Sequence, residues 1–306
     1  MRVSGFSFDV LEVPLRTSLA TASGDWGVVR LGLLSLRTDT GLTGLGEAPL
    51  DGHAMHRTME ADPWGSGADL SNALLQALTG VDLADAGAVE ERLTAIDAWA
   101  GFGRALRSAV ATARVDALAR SSGRSAAAWL GDEALAGTPV RFLVSSPAFD
   151  VAVNALVGIA EPEVAAAEAR RLVEIGFACL KLKGGAEGPG VLARRVAAVR
   201  ESVGPLASLR LDLNGALDEG AATSLLVEVE PYRLEYVEQP IPAAAGVEAL
   251  ARLRRRVATP IAADEAVTDL AAVRAIAAAG AADVIVVKTA RVGGLAQAVR
   301  IVDLAV

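Results

Sequence analysis

From about residue 150 onward, the chain alternates β-rich segments with segments whose apolar residues recur at helical spacing. The alternation occurs six times, which is the pattern of parallel strands joined by right-handed helical crossovers. The predicted strands cover residues 151–158, 179–183, 209–213, 234–238, 260–264 and 283–288. The predicted helices cover residues 163–175, 190–203, 219–229, 247–256, 269–279 and 295–306. The pattern therefore predicts a parallel sheet flanked by helices.

Five of the six predicted strands carry a charged residue at the last or next-to-last position, and one strand–helix unit separates each of these residues from the next. They are Lys183, Asp212, Glu238, Asp264 and Lys288. This arrangement is typical of a TIM-type (β/α) barrel, in which the chemistry lies at the carboxyl ends of the strands. Such a barrel closes with eight strands. Because only six are predicted, we expect the sequence to be truncated before strands 7 and 8.

The first part of the chain has a different pattern. Residues 1–48 contain three β-rich segments with turn residues between them, which predicts an antiparallel meander. The polar segment 17–27 is predicted to be a mobile loop over a pocket. Residues 68–132 then carry apolar residues at helical spacing. We therefore predict an α+β domain over residues 1–145, a β-meander followed by helices, and a barrel domain over residues 146–306.

Lysine is rare in this chain. Among 29 lysines and arginines, the lysines are only Lys181, Lys183 and Lys288. Arginine keeps its proton near neutral pH, whereas a buried lysine can give its proton up. Lys181 and Lys183 lie two positions apart on one strand, so both point to the same face, and their like charges should lower the pKa of at least one amine. In a barrel Lys288 would lie across from them. We therefore interpret these lysines as catalytic amines and not as solvated side chains at strand ends.

Three carboxylates end successive strands of the predicted barrel, namely Asp212, Glu238 and Asp264. Neighbouring strands would bring them together, and a hard cation such as Mg²⁺, which prefers oxygen ligands, would relieve their repulsion. Asn214 follows Asp212 by two positions and should face the same site. Glu265 should project differently, which suits a supporting role such as pairing with a lysine.

Composition excludes several other classes of function. The net charge of −8 and the pI of about 5.0 argue against nucleic acid or an anionic membrane as a partner. The single cysteine, Cys179, permits no intrachain disulfide and lies in an apolar run typical of a core residue. The first residues do not have the pattern of a signal peptide. We expect a cytoplasmic protein without membrane spans.

Six short motifs bring the chain close to a known family. They are G-L-G-E-A-P, K-L-K-G-G, R-L-D-L-N-G-A-L-D, E-Y-V-E-Q-P, P-I-A-A-D-E and V-V-K-T-A-R-V-G-G. With them the chain resembles the enolase superfamily, in its muconate lactonizing enzyme subgroup, and there it is most like the o-succinylbenzoate synthases. The resemblance covers essentially the whole chain and implies an N-terminal α+β capping domain on a TIM-type barrel.

The resemblance also implies a mechanism. Mg²⁺ would be bound by the three strand-end carboxylates. Lys183 would remove the proton alpha to a substrate carboxylate and then help to expel hydroxide, while Lys181 tunes it. Lys288 would stabilise the enediolate from the opposite face. The reaction would be a dehydration that forms 2-succinylbenzoate for menaquinone biosynthesis, which is carbon–oxygen lyase chemistry on a small carboxylate.

Other activities remain open at this stage. The same residues suit an N-acylamino acid racemase or a dipeptide epimerase, which need one amine on each face of the substrate, and a muconate cycloisomerase. A Schiff-base aldolase would use one strand-end lysine, but that mechanism leaves the carboxylates without a role. An inactive fragment is a further alternative, because six strands are fewer than a closed barrel requires. The open barrel edge favours association into a homo-oligomer.

Overall fold

The computed structural model describes residues 1–21, 24–50, 67–97, 103–133, 151–185 and 187–305. The chain divides into two compact units. The N-terminal unit comprises Met1–Pro14, Val28–Phe149 and Val287–Val306, and the barrel unit comprises Leu15–Gly27 and Asp150–Val286. In this division residues 15–27 belong to the barrel unit and residues 287–306 to the N-terminal unit, and the domain boundary after residue 145 stays a prediction.

The N-terminal unit begins with the predicted meander. Its strands are β1 (Val3–Thr21), β2 (Gly24–Thr38) and β3 (Thr43–Pro49), in the order β1-β2-β3, with β2 and β3 antiparallel. In the described residues four helices follow, namely α1 (Gly67–Leu78), α2 (Ala86–Asp97), α3 (Gly103–Ser121) and α4 (Ala126–Glu133). The α+β pattern is confirmed, and α4 is an element that the periodicity did not reveal.

The predicted loop at residues 17–27 is wrong in one respect. Strand β1 continues to Thr21 and β2 begins at Gly24, so most of the segment is β-strand. Thr17 and Thr21 are β-branched, which favours extended backbone, and the Thr21 hydroxyl donates a hydrogen bond to the Gly24 carbonyl (2.9 Å). Within the barrel unit, the carbonyl of Ala20 accepts a hydrogen bond from the amide of Ile159 (3.1 Å).

Two glycines allow β3 to lie directly against α3. A Cβ at Gly44 would come within 1.9 Å of the Ala113 carbonyl oxygen, and one at Gly46 within 1.9 Å of the Ala109 carbonyl oxygen. No side chain fits at either position without moving backbone. The core of this unit contains fully buried side chains, which include Leu34, Leu36, Leu74, Leu78 and Leu106.

The barrel unit confirms the predicted parallel sheet. In the described residues it has six strands, β4 (Asn154–Val157), β5 (Cys179–Lys183), β6 (Ser208–Asp212), β7 (Tyr236–Glu238), β8 (Ile261–Ala263) and β9 (Val284–Ile285). They pair in sequence order, and each pair is parallel. The helices between them are α5 (Pro162–Glu174), α6 (Pro189–Val203), α7 (Glu219–Val229), α8 (Val247–Arg254) and α9 (Leu270–Ala279). Most of the strands are shorter than predicted, because the runs continue into the connecting loops.

Alternation along β5 separates core residues from the lysines. On β5, Leu180 and Leu182 are buried, whereas the lysines between and after them are only partly buried. The last two helices, α10 (Thr289–Val292) and α11 (Leu295–Ala305), follow β9. Among the described helices, none combines the length and apolar character needed to cross a membrane.

Candidate active site

The carboxyl ends of three adjacent strands carry the predicted lysine and two of the predicted carboxylates. Lys183 on β5 pairs in register with Asp212 on β6, and Asp212 pairs with Glu238 on β7. Asp264 directly follows β8. All three acids are 0% exposed. The strand ends therefore place buried charges side by side, as the sequence predicts.

Both lysines of β5 contact these acids. The Lys183 amine donates a hydrogen bond to Oδ2 of Asp212 (2.7 Å), and the Lys181 amine lies 2.9 Å from the same oxygen. Lys181 also donates to Oε1 of Glu238 (2.8 Å) and lies 2.7 Å from its Oε2. Because both amines contact one oxygen, they lie close together, as expected from their spacing on the strand.

The balance of burial and charge sets the pKa values of these groups. Burial raises the pKa of Glu238, the charges of Asp212 and then Asp264 raise it further, and it reaches about 7 despite the opposing charge of Lys181. Burial acts to raise the pKa of Asp212, but the charges of Lys183 and Lys181 hold it below its ordinary value.

The pKa of Lys181 moves opposite to the direction expected from a lysine pair. Burial acts to lower it, but the charges of Asp212 and Glu238 outweigh burial and raise the pKa above its ordinary value. The two contacting carboxylates thus decide the protonation of this amine.

Asn214 and Glu265 extend the network. Asn214 accepts a hydrogen bond from the Lys183 amine (3.0 Å) and donates one to Oε1 of Glu265 (3.0 Å). Its backbone amide donates to Oδ1 of Asp212 (3.1 Å). Glu265 was predicted to pair with a lysine, whereas the structure links it to Lys183 through the amide of Asn214.

Lys288 follows β9 and lies at the start of α10. Its carbonyl accepts hydrogen bonds from the amides of Arg291 (2.9 Å) and Val292 (3.1 Å), which begin the short helix. The residue belongs to the N-terminal unit. Its place across the site from Lys183 stays a prediction.

The acids fit a hard cation by their chemistry. Glu265 Oε2 is buried and accepts no hydrogen bond, and Glu238 Oε2 is buried 2.7 Å from the Lys181 amine. Carboxylate oxygens are the ligands that Mg²⁺ prefers. The part of the chain that the structure describes contains no group of three or more His, Cys, Asp or Glu side chains disposed to hold a metal ion. The Lys181 amine lies between Asp212 and Glu238 instead, and supplies the positive charge there.

Two residues near the acids and lysines were missed in the sequence. Gln239 follows Glu238 and is buried, and its side chain contacts the backbone of Asp264. Arg195 on α6 is 1% exposed and donates a hydrogen bond to the carbonyl of Lys183. One signal was available for Arg195, because it falls three positions after Leu192 on the apolar side of the helix.

Comparisons with known proteins agree with this fold. A model of the family described as enolase C-terminal domain-like matches residues 164–306. The o-succinylbenzoate synthase of Thermobifida fusca is 39% identical over 155 residues, which span 50% of this chain and 47% of that enzyme. Muconate cycloisomerase 1 of Rhodococcus opacus is 30% identical over 97% of this chain and 74% of its own length.

A solved structure gives the same result for the whole chain. The dipeptide epimerase of Enterococcus faecalis V583, complexed with Mg and the dipeptide L-Leu-L-Tyr, superposes with a TM-score of 0.83 at 25% identity. The match covers 100% of this chain and 80% of that structure. These matches confirm the family resemblance and the barrel fold with its capping domain. The chain belongs to the enolase superfamily.

Proposed function

We propose that this protein removes a proton alpha to a carboxylate in a Mg²⁺-dependent reaction that passes through an enediolate. Its specific reaction is proposed to be that of o-succinylbenzoate synthase, in which a cyclohexadiene carboxylate loses water to give 2-succinylbenzoate. The observation that carries the proposal is the contact of two strand-end lysines with the acids of the neighbouring strands. The identity to the Thermobifida fusca enzyme supports the specific reaction.

The acids Asp212, Glu238 and Asp264 are the proposed ligands of Mg²⁺. When bound, the cation would stabilise the negative charge that develops on the substrate carboxylate. Asn214 and Glu265 would hold the acids and Lys183 in place through their hydrogen bonds. No other residue type in this set could bind a hard cation as well as the carboxylates do.

Lys183 is the proposed base. In its neutral form the Nζ lone pair takes the proton from the α-carbon, and the C–H electrons form the enediolate. The resulting ammonium then gives this proton to the leaving hydroxyl on the β-carbon, so that the C–O bond breaks and water departs. Lys183 is thereby returned to its neutral form, and no oxidant or reductant is required.

The other lysines would act through charge. The Lys181 ammonium lies 2.9 Å from the same Asp212 oxygen that the Lys183 amine contacts. Lys288 would stabilise the enediolate from the opposite face. In a dehydration this second amine need not accept a proton.

A dipeptide epimerase is the second candidate. It is supported by the superposition on the Enterococcus faecalis enzyme, whose bound molecule is a dipeptide. In such a reaction Lys183 and Lys288 would each exchange a proton with one face of the same carbon. The two candidates share the base and differ in the substrate and in the role of Lys288.

Replacement of Lys183 by arginine tests the base. Arginine can keep the ion pair with Asp212 but cannot give up its proton. We expect Lys183→Arg to lose exchange of the substrate α-proton with deuterium by at least about 10³-fold. The exchange is followed by proton NMR in D₂O, and Mg²⁺ binding is followed by calorimetry as a control. Exchange at a rate near that of the wild type would contradict the assignment.

A substrate panel separates the two candidates. Formation of an aromatic ring from the cyclohexadiene changes the ultraviolet absorbance and would support the synthase. Epimerisation of dipeptides without that activity would support the second candidate. Lys288→Met should leave measurable dehydration if the second amine acts by charge and position, but should abolish epimerisation in both directions.

A further inference from the structure

Gln239 has a strained backbone in the middle of the barrel unit. It directly follows β7, its side chain is 1% exposed, and its φ is 40°. This left-handed conformation is uncommon for residues other than glycine. It persists only where the surroundings hold the residue firmly, and such positions concentrate at functional sites.

The side-chain amide of Gln239 binds the chain at the end of β8. Its Oε1 accepts hydrogen bonds from the backbone amides of Asp264 (3.0 Å) and Ala266 (3.1 Å). Its Nε2 donates to the carbonyl of Ile241 (2.8 Å). Because backbone N–H groups can only donate, the amide has a single orientation that satisfies all three contacts.

The backbone of Gln239 binds two further segments. Its amide donates to the carbonyl of Ala262 on β8 (2.8 Å), and its carbonyl accepts from the amide of Gly215, which follows β6 (2.7 Å). Gln239 therefore connects the ends of β6, β7 and β8, which are the strands that position the three acids. A small shift of Gln239 would move Asp264 relative to Glu238.

We infer that Gln239 is a positioning residue that sets the distance between the acids of β7 and β8 and thereby the affinity for a divalent cation. The inference rests on the proposed function, because it takes these acids as Mg²⁺ ligands. Gln239 is not proposed to contact the substrate. The residue acts through the backbone of Asp264 and through its own peptide bond with Glu238.

Gln239→Met tests the inference, since methionine has a similar length but cannot bind the amides of Asp264 and Ala266. Partners behind metal ligands typically change metal affinity by about 10- to 100-fold, and we expect a loss of that size for Mg²⁺ by calorimetry. Gln239→Asn is the second variant. Asparagine tolerates the left-handed conformation, so this variant should fold, but its shorter amide cannot reach both backbone groups.

Arg200 offers a matched control at the opposite end of the same strands. Its guanidinium donates hydrogen bonds to the carbonyls of Gly204, Ala207, Tyr232 and Arg233. Arg200→Met should lower the melting temperature measured in EDTA, yet leave the Mg²⁺ affinity within about twofold, because it removes no contact near the acids.

The outcomes separate the inference from the proposed function. Unchanged Mg²⁺ affinity in folded Gln239→Met or Gln239→Asn overturns the inference and leaves the proposed function intact. An equal loss of affinity in Arg200→Met also overturns it, since general destabilisation would then explain the effect. Absence of Mg²⁺ binding by the wild-type protein overturns both.

Discussion

The buried pair of Arg195 and Glu187 allows a quantitative test of how the base is held. The Arg195 guanidinium lies 2.5 Å from Oε1 of Glu187 and donates hydrogen bonds to the carbonyls of Lys183 and Ala160. The arginine is 1% exposed and the Glu187 side chain 13%. One cation therefore joins the ends of β4 and β5 to the loop that follows Lys183.

Removal of the cation alone should be costly. Arg195→Met keeps most of the side-chain volume but leaves the Glu187 carboxylate buried without its counter-charge, and its oxygens accept no hydrogen bond. Breaking such a pair typically costs about 3–5 kcal/mol, whereas replacing both partners by neutral groups is often close to neutral. In the double variant Arg195→Met/Glu187→Gln, only the two carbonyls lose a donor, which costs about 1–3 kcal/mol. We therefore expect the second substitution to restore about 2 kcal/mol.

Urea unfolding followed by circular dichroism measures both values in a double-mutant cycle. The control is Arg170→Met, which removes an exposed arginine on α5 bound to the Ser202 hydroxyl and should change stability by no more than about 0.5 kcal/mol. If the double variant is no more stable than Arg195→Met, the buried charge of Glu187 is not the source of the loss. The reasoning about the pair would then be refuted.

Two further predictions concern the acids and the core. In EDTA, the raised pKa of Glu238 means that its protonated form favours folding, so stability should fall as the pH rises from about 4.5 to about 7, by an amount on the order of 3 kcal/mol. Urea unfolding at pH 5 and pH 8 measures this loss of stability, and the Glu238→Gln variant should show a smaller loss. An equal loss in both proteins would contradict the assignment of the pH dependence to Glu238. Gly44→Ala should destabilise by about 3 kcal/mol because the new methyl meets the Ala113 carbonyl, whereas Gly41→Ala, which has open space but a positive φ, should cost about 1 kcal/mol. Thermal unfolding compares the stabilities of the two variants. A larger loss of stability in Gly41→Ala than in Gly44→Ala would contradict this account of the close packing.

Much of the barrel unit was predictable because its signals are local. The alternation of Leu180 and Leu182 with lysines gives β5 directly, and its predicted bounds agree with the structure. Helix α7 likewise has its predicted bounds, since Asp218 caps its first turn by accepting a hydrogen bond from the amide of Ala221. The positions of Lys183, Asp212 and Glu238 at neighbouring strand ends follow from the same pattern.

The remaining features depend on contacts between residues far apart in the chain. The pKa of Lys181 is raised because Asp212 and Glu238 lie on other strands, and no spacing along β5 contains that information. The bonds from Gln239 to Asp264 and from Arg195 to Lys183 likewise join separate elements. The segment 17–27 was predicted to be a loop because it is polar, although residues 17–21 and 24–27 are strand.

Strand β6 shows how one face of a strand can serve stability at its middle and chemistry at its end. At its middle Arg210 donates two hydrogen bonds to Glu235 (2.8 and 3.0 Å) and lies over the ring of Tyr236 at 4.9 Å. At its end Asp212 is fully buried and shares one oxygen between two lysines.

The backbone is also strained just after the acid-bearing ends of β6 and β7. In the described residues, the positive φ values outside glycine belong to Asn214, Arg233 and Gln239, and two of these three follow the acid-bearing ends of the strands. Burying acids costs stability even where lysines pair with them, and a strained backbone beside them adds to that cost. The carboxyl ends of the strands therefore carry residues that lower the stability of the fold. That cost is the physical reason to propose that the chemistry occurs there.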